Sequence, residues 1–298
     1  MPATASFNAK VVAALVAVQV LFGINYVTSK YIVASFPPLV WASIRITFAA
    51  LAMTVVATVL RRGHAPSGRK FFLPLIVYSL FGITLNQTAF LTGIHYTTAT
   101  NAAILNTLIP VFTLMIVTAR GQESFTRRRM AGFIFSFAGV LVLRKVEQLR
   151  LSDQTLIGDL LIVANSLCYA VFLSCTKTFL EKNDRVWTTA WMFIYGSVGI
   201  CLMSVPQWTT FQPPLLTPSL AACMAFGVVG GTLATYFFNI WALAKAKPSS
   251  VALFVYLQPV VTAALATVWL GEQITLRTVF SSLMIFSGLV LALRDQIV

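Results

Sequence analysis

Long apolar runs, separated by short polar connections, set the terms for this chain. They fall at roughly 10–33, 38–60, 71–93, 98–118, 127–144, 156–177, 187–205, 219–241, 248–269 and 275–294. About 20 mainly apolar residues in a helix cross about 30 Å of hydrocarbon, so each run has the length of a membrane span. The runs are continuous rather than alternating, and about twice the length of a barrel strand, so they predict helices. Composition agrees. Only 10% of the 298 residues are charged and 58% are apolar, whereas a soluble domain carries about 25% charge to wet its surface. The expected class is an all-α integral membrane protein with ten transmembrane helices.

The net charge of +13 raises a nucleic-acid reading, but the basic residues form no stripe. They cluster between apolar runs, as at Arg61, Arg62, Arg69 and Lys70, and at Arg127, Arg128 and Arg129. Cytoplasmic loops of membrane proteins carry such clusters, which also attract anionic lipid. With residue 1 inside, the inner segments hold 14 of the 21 Lys and Arg and the outer segments 4. This bias predicts an inner (plasma) membrane protein of a bacterium with both termini cytoplasmic. The first run has no small-residue cleavage site, so it reads as a retained span. Cys168, Cys175, Cys201 and Cys223 all lie in apolar runs without metal-type spacing, which suggests small buried residues rather than disulfides.

An internal repeat organises the runs. Sliding the sequence by 149 residues sets Thr98–Lys145 on Lys247–Arg294, matching Pro110 with Pro259, Glu123 with Glu272, Thr126 with Thr275, Arg128 with Arg277 and Gly139 with Gly288. A weaker match with a two-residue slip sets Gly23–Lys30 on Ala170–Lys177. The expected units are residues 1–149 and 150–298, five helices each. Five is odd, so the copies should lie inverted. Inverted repeats place a binding site near the bilayer midplane and permit alternating access.

At this level of detail the chain resembles the EamA-type ten-helix members of the drug/metabolite transporter superfamily. The resemblance rests on Phe22-Gly23-Ile24-Asn25-Tyr26 leading to Lys30, on Arg45, and on Thr98–Ala103 leading to Pro110. It rests also on Glu123–Thr126 with Gly132 and Gly139, and on Pro259, Gly271–Thr275 and Gly288. Phe22 stands where the family usually has Trp, and Gln122 where it has Gly. The resemblance implies a metabolite exporter working by alternating access without ATP, similar in character to the aromatic and hydrophobic amino-acid exporters. Carriers of nucleotide-derived metabolites or cationic drugs are the alternative. A membrane-embedded enzyme or a channel stands further off, since no convergent His, Asp or Glu cluster and no filter-like loop is evident.

The chemistry expected of such a chain is therefore binding, with no catalytic residue, cofactor or metal. The partners are a small-molecule substrate and the lipid bilayer, with no nucleic acid; protein partners are undetermined and a monomer suffices. His64 and His95 read as surface residues. The carboxylates fall in connections or at span ends, which argues for transport without proton coupling. Glu123 and Glu272 read as structural, within reach of Arg128 and Arg277. In-span amides cost free energy unless paired, so they mark helix contacts or a wet cavity. These are Asn25, Asn86, Gln87, Asn101, Asn106, Asn165, Asn239 and Gln258. Together with aromatics at depth they give a substrate-binding set of Asn25, Tyr26, Tyr78, Asn86, Asn101, Tyr169, Tyr195, Asn239, Tyr256 and Gln258. Pro110 and Pro259 are expected to kink their helices and free the carbonyls of Asn106 and Val255, as hinges on the central passage. Lys30 and Lys177 are expected to snorkel, while Arg45 is deep enough to need a polar partner.

Overall fold

A computed structural model describes residues 9–60, 68–121, 127–143, 154–246 and 248–297. Arg61, Arg62, His64, Gln122, Glu123, Thr126, Lys145 and Lys247, invoked above, lie outside the described residues. Those described fold into helices: α1 (Ala9–Val33), α2 (Pro38–Leu60), α3 (Arg69–Tyr96), α4 (Ala99–Ala119), α5 (Arg127–Leu143), α6 (Gln154–Lys182), α7 (Arg185–Trp208), α8 (Pro218–Leu243), α9 (248–269) and α10 (Leu276–Ile297). Seven of them, α1 to α4 and α6 to α8, are long and apolar enough to cross a membrane. Shorter apolar helices lie within α9 and α10, at Phe254–Trp269 and Leu276–Gly288. The chain is a multi-pass membrane protein, with Leu51, Leu202, Val229 and Val268 among the apolar side chains turned outward, as lipid requires.

Helix contacts follow a regular scheme. α1 packs against α8 and α9, and α6 packs against α3 and α4; α2 pairs with α7, and α5 with α10. Exchanging each helix for the one five places away turns this set of contacts into itself. Small residues make the close approaches. A Cβ on Gly93 would fall 2.9 Å from the Gly158 carbonyl where α3 meets α6, and one on Gly23 would fall 2.6 Å from Val261 Cβ where α1 meets α9.

Among the described residues four interruptions break the helical regularity, and apolar patterning predicts none of their forms. α3 widens into a π turn at Leu80–Thr84, and α8 does so at Val229–Ala234. These turns begin 149 residues apart. α4 stops at Leu105 and restarts at Leu108, while α9 passes through a 3-10 turn at Phe254–Tyr256 before restarting at Leu257. The restarts are again 149 residues apart. Pro110 and Pro259 therefore sit in the first turn of a new segment, where a missing N–H costs nothing, rather than inside a kinked helix. The Asn106 carbonyl is also not left free, because the Ile109 N–H donates to it at 3.0 Å.

The two lysines expected to snorkel instead tie turns together. Lys30 Nζ donates to the carbonyls of Ile94, His95 and Thr97 at 2.9, 3.0 and 2.7 Å, closing the α3–α4 turn. Lys177 Nζ donates to the Ala246 carbonyl after α8 at 2.9 Å, and also pairs with Glu181 at 3.0 Å. Thr97 and Ala246 occupy the same place in the 149-residue register. Glu272 is structural, but through a different helix: its carboxylate accepts the N–H groups of Ala99 (2.7 Å) and Thr100 (3.0 Å), capping α4. Arg277 Nε donates to the Val142 carbonyl at the end of α5.

Candidate functional site

The polar residues that open apolar helices converge at one place. A cavity of about 50 Å³ lies where α1, α3, α4, α6, α8 and α9 meet, enough for about three to five waters. Phe22, Asn25 and Tyr26 line it from α1, Asn86, Gln87 and Phe90 from α3, and Asn106 and Ile109 from α4. Asn165 and Tyr169 line it from α6, Gly231 and Tyr236 from α8, and Gln258 from α9. α2 with α7, and α5 with α10, stand outside this ring as lateral pairs.

Two hydrogen-bond networks make up the walls. On one side Tyr26 Oη donates to Gln258 Oε1 at 2.9 Å and accepts from Asn106 Nδ2. Ser166 Oγ donates to Asn106 Oδ1 at 2.5 Å, and Gln258 Nε2 to Gln19 Oε1 at 2.5 Å. This chain joins α1, α4, α6 and α9 through neutral groups. Asn106 reaches the cavity because α4 breaks at its position.

On the other side Gln87 Nε2 donates to Asn86 Oδ1 and to Tyr236 Oη, each at 3.0 Å, and Tyr236 Oη donates to the Gly82 carbonyl at 2.7 Å. That carbonyl belongs to the π turn of α3, whose extra residue leaves backbone oxygen open to a neighbouring helix. Asn86 and Asn165 cross-link α3 to α6 by reciprocal bonds, each side-chain amide donating to the other's backbone carbonyl at 3.3 and 3.0 Å. Behind Gln87 lies Arg45, which is 1% exposed. Its guanidinium donates to Gln87 Oε1 through Nη2 and to Asn25 Oδ1 through Nη1 at 3.5 Å, and it lies 6.0 Å from the Trp41 ring. The partner Arg45 requires at its depth is thus a pair of side-chain amide oxygens.

Of the residues expected to bind substrate, Asn25, Tyr26, Asn86, Tyr169 and Gln258 line the cavity. The others lie elsewhere. Tyr78 packs edge-on against Phe179 at 5.4 Å, and Tyr195 stacks on Trp191 at 5.8 Å on α7, outside the ring. Asn101 sits at the α4 N-terminus, its N–H bonded to Thr98 Oγ1. Asn239 is buried behind the wall, against the Tyr169 hydroxyl. Tyr256 turns toward α10 and meets Phe286 edge-on at 5.7 Å. Gln87, Asn106 and Asn165, in-span amides left out of the binding set, line the cavity too, as does Tyr236. Their signal was the same as that of the chosen residues; helix face separates them.

Asp159 also differs from expectation. Although near the start of α6, it is 3% exposed and accepts from Thr97 Oγ1 at 2.5 Å. Thr97 thereby links the Lys30 tie on its carbonyl to a buried carboxylate on its hydroxyl. This cluster stands at one end of the ring, away from the cavity-lining residues. Among the described residues no group of three or more His, Cys, Asp or Glu gathers to hold a metal ion.

Known proteins place this architecture. The sequence pattern of the EamA-like transporter family matches residues 9–145 and again residues 156–294. An uncharacterized transporter of Archaeoglobus fulgidus is 30% identical over 79% of this chain and 81% of its own length. The uncharacterized transporter YyaM of Bacillus subtilis is 24% identical, with 93% of this chain and 92% of that protein aligned. A WAT1-related protein of Arabidopsis thaliana is 24% identical over 97% of this chain and 86% of its own. One solved crystal structure shares the fold with a TM-score of 0.66 at 14% identity, covering 95% of this chain and 96% of that one. A membrane-buried ring of helices around a polar cavity, on a chain that carries the family's pattern twice, has one reading: this protein belongs to the EamA-like family of the drug/metabolite transporter superfamily, and it is a membrane transporter.

Proposed function

We propose that this transporter exports amino acids, with aromatic and hydrophobic ones favoured, by alternating access and without coupling to ATP or protons. The observation that carries the reading is the cavity wall. Phenols and carboxamides alternate there with Phe22, Phe90 and Ile109, a surface suited to a solute with a polar head and an apolar side chain. At about 50 Å³ the cavity is a constricted state that must widen to admit such a solute. Binding within the ring and movement of the helices around it are therefore one event.

All ten helices cross the membrane in this reading, as two inverted units, 1–149 and 150–298, with both termini on the cytoplasmic side of a bacterial inner membrane. Support comes from the exchange symmetry of the helix contacts, the paired π turns, the paired restarts before Pro110 and Pro259, and the matched ties of Lys30 and Lys177. The restarts, with short segments on each side, serve as hinges. A monomer suffices, since one chain encloses the cavity.

The test is uptake into proteoliposomes over a panel of labelled amino acids and nucleosides, with and without an imposed pH gradient. Amino acids are expected to move at rates independent of the gradient. Movement of nucleosides alone would overturn the substrate class, and rates that follow the proton gradient would overturn the uncoupled mechanism.

A further inference from the structure

Arg45 brings a permanent positive charge to the back of the cavity wall, at a depth where an isolated charge is costly. Its partners among the described residues are neutral: Gln87 Oε1, Asn25 Oδ1 and the Trp41 ring, with no hydrogen bond to Nε. Among the described residues no carboxylate forms an ion pair with it. The charge is held but not balanced.

Its position relative to the cavity gives this a direction. Arg45 is not in the wall, but both amides it grips are. By drawing in their oxygens, it turns their NH2 groups away from itself. Gln87 Nε2 is taken up by Asn86 and Tyr236. Asn25 Nδ2 makes no hydrogen bond to protein among the described residues. The Asn25 side chain is fixed closely, since Ser29 Oγ also donates to its oxygen at 3.4 Å and a Cβ on Gly231 would fall 2.2 Å from that oxygen. The corner of the cavity between Asn25 and Gln87 thus presents an oriented N–H donor, backed by an uncompensated guanidinium one side chain away.

We propose that the cargo itself supplies the missing negative charge: the transported solute carries a carboxylate, received at the Asn25–Gln87 corner with Arg45 behind it. Arg45 acts as a positioning and charge-setting residue, not a contact. The inference rests on the export reading above and narrows it, because bare amines and uncharged nucleosides offer nothing to this corner. A carboxylate accepts the Asn25 N–H and relieves the buried cation at once, whereas a carboxamide of the same shape does only the first.

The experiment uses the full chain in proteoliposomes, corrected for leak into protein-free vesicles. Benzyl, isobutyl and methyl side chains are each offered as the amino acid, its amide, the 2-oxo acid and the amine. The expected result is at least tenfold faster transport of the carboxylate-bearing forms than of the amides and amines. That ratio should persist in Arg45→Lys and fall to near unity in Arg45→Met. A purely structural arginine would lower all rates together and leave the ratio intact. Asn25→Asp is close in shape and supplies Arg45 with an internal partner, so it keeps the test available if Arg45→Met does not fold; it too should bring the ratio to near unity. Equal wild-type rates for acids and amides, no transport of any carboxylate, or an unchanged ratio in Arg45→Met or Asn25→Asp would overturn the proposal. Transport of 2-oxo acids but not amino acids would sink the amino-acid reading while leaving the carboxylate corner standing.

Discussion

Replacing Lys30 by methionine keeps an unbranched stem of similar length and deletes one ammonium group. That group serves three backbone carbonyls, of Ile94, His95 and Thr97, at 2.7 to 3.0 Å. A hydrogen bond to a charged donor contributes about 1.5–3 kcal/mol net when well buried. Lys30 is only partly buried and the His95 bond is exposed, so water restores part of the loss and the expected cost is about 2–4 kcal/mol. At about 2–4 °C of Tm per kcal/mol for a chain of this order of size, the midpoint should drop by about 4–16 °C. Lys177→Met is the internal control. It removes one bond to the Ala246 carbonyl and an i,i+4 pair with Glu181, worth about 1–2 kcal/mol together. Thermal unfolding of the detergent-purified protein, followed by tryptophan fluorescence, measures both. A Lys30→Met midpoint unchanged from the parent, or a Lys177→Met loss as large as that of Lys30→Met, would show that the three carbonyl bonds of Lys30 do not hold the turn.

Three further outcomes are expected. Gly231→Ala places a methyl group against Asn25 Oδ1 at a distance no packing tolerates, so it should destabilise by about 1–3 kcal/mol and impair transport more than Gly227→Ala does; thermal unfolding and uptake together check this. Tyr26→Phe removes the hydroxyl joining Asn106 to Gln258 and leaves buried amide groups short of partners. The expected cost is about 1–3 kcal/mol, and it should be strongly non-additive with Asn106→Leu in a double-mutant cycle. Asp159→Asn retains an acceptor for Thr97 Oγ1 and should be mild, while Asp159→Leu leaves that buried hydroxyl unpaired and should cost about 1–3 kcal/mol more; comparison of the two unfolding midpoints decides.

Helix positions were legible in the sequence because membrane thickness and apolar run length are the same physical quantity. The run read at 38–60 is the helix Pro38–Leu60, and the run at 127–144 is the helix Arg127–Leu143. Candidate site residues were legible as a type, since an amide or phenol in a greasy helix needs a partner. Their sorting was not. Asn86 and Asn239 look alike in sequence, yet one lines the cavity and the other backs Tyr169, because the face a residue occupies depends on where its helix changes pitch. Pro110 announced an interruption but not its location, since the ring forces the break a turn earlier, at Asn106. Lys30 looked like a snorkelling residue because nothing local reveals that the α3–α4 turn brings three carbonyls to its tip. Asp159 looked peripheral because position along a helix says little about what a neighbouring turn will cover.

The π turns at Leu80–Thr84 and Val229–Ala234 carry a last consequence. Each holds one residue more than an α-helical turn, which offsets everything downstream by about 100° around the axis. Asn86 and Gln87 follow the first turn, and Tyr236 follows the second, so the chemistry of the cavity depends on a count rather than on any one side chain. Closing the first turn to α-helix with Ile83 retained would swing that amide pair out of the central space, whereas excising Ile83 as well lets the turn close with the pair still facing it. The two turns thus let each helix carry one residue beyond the α-helical count while its polar face stays on the centre.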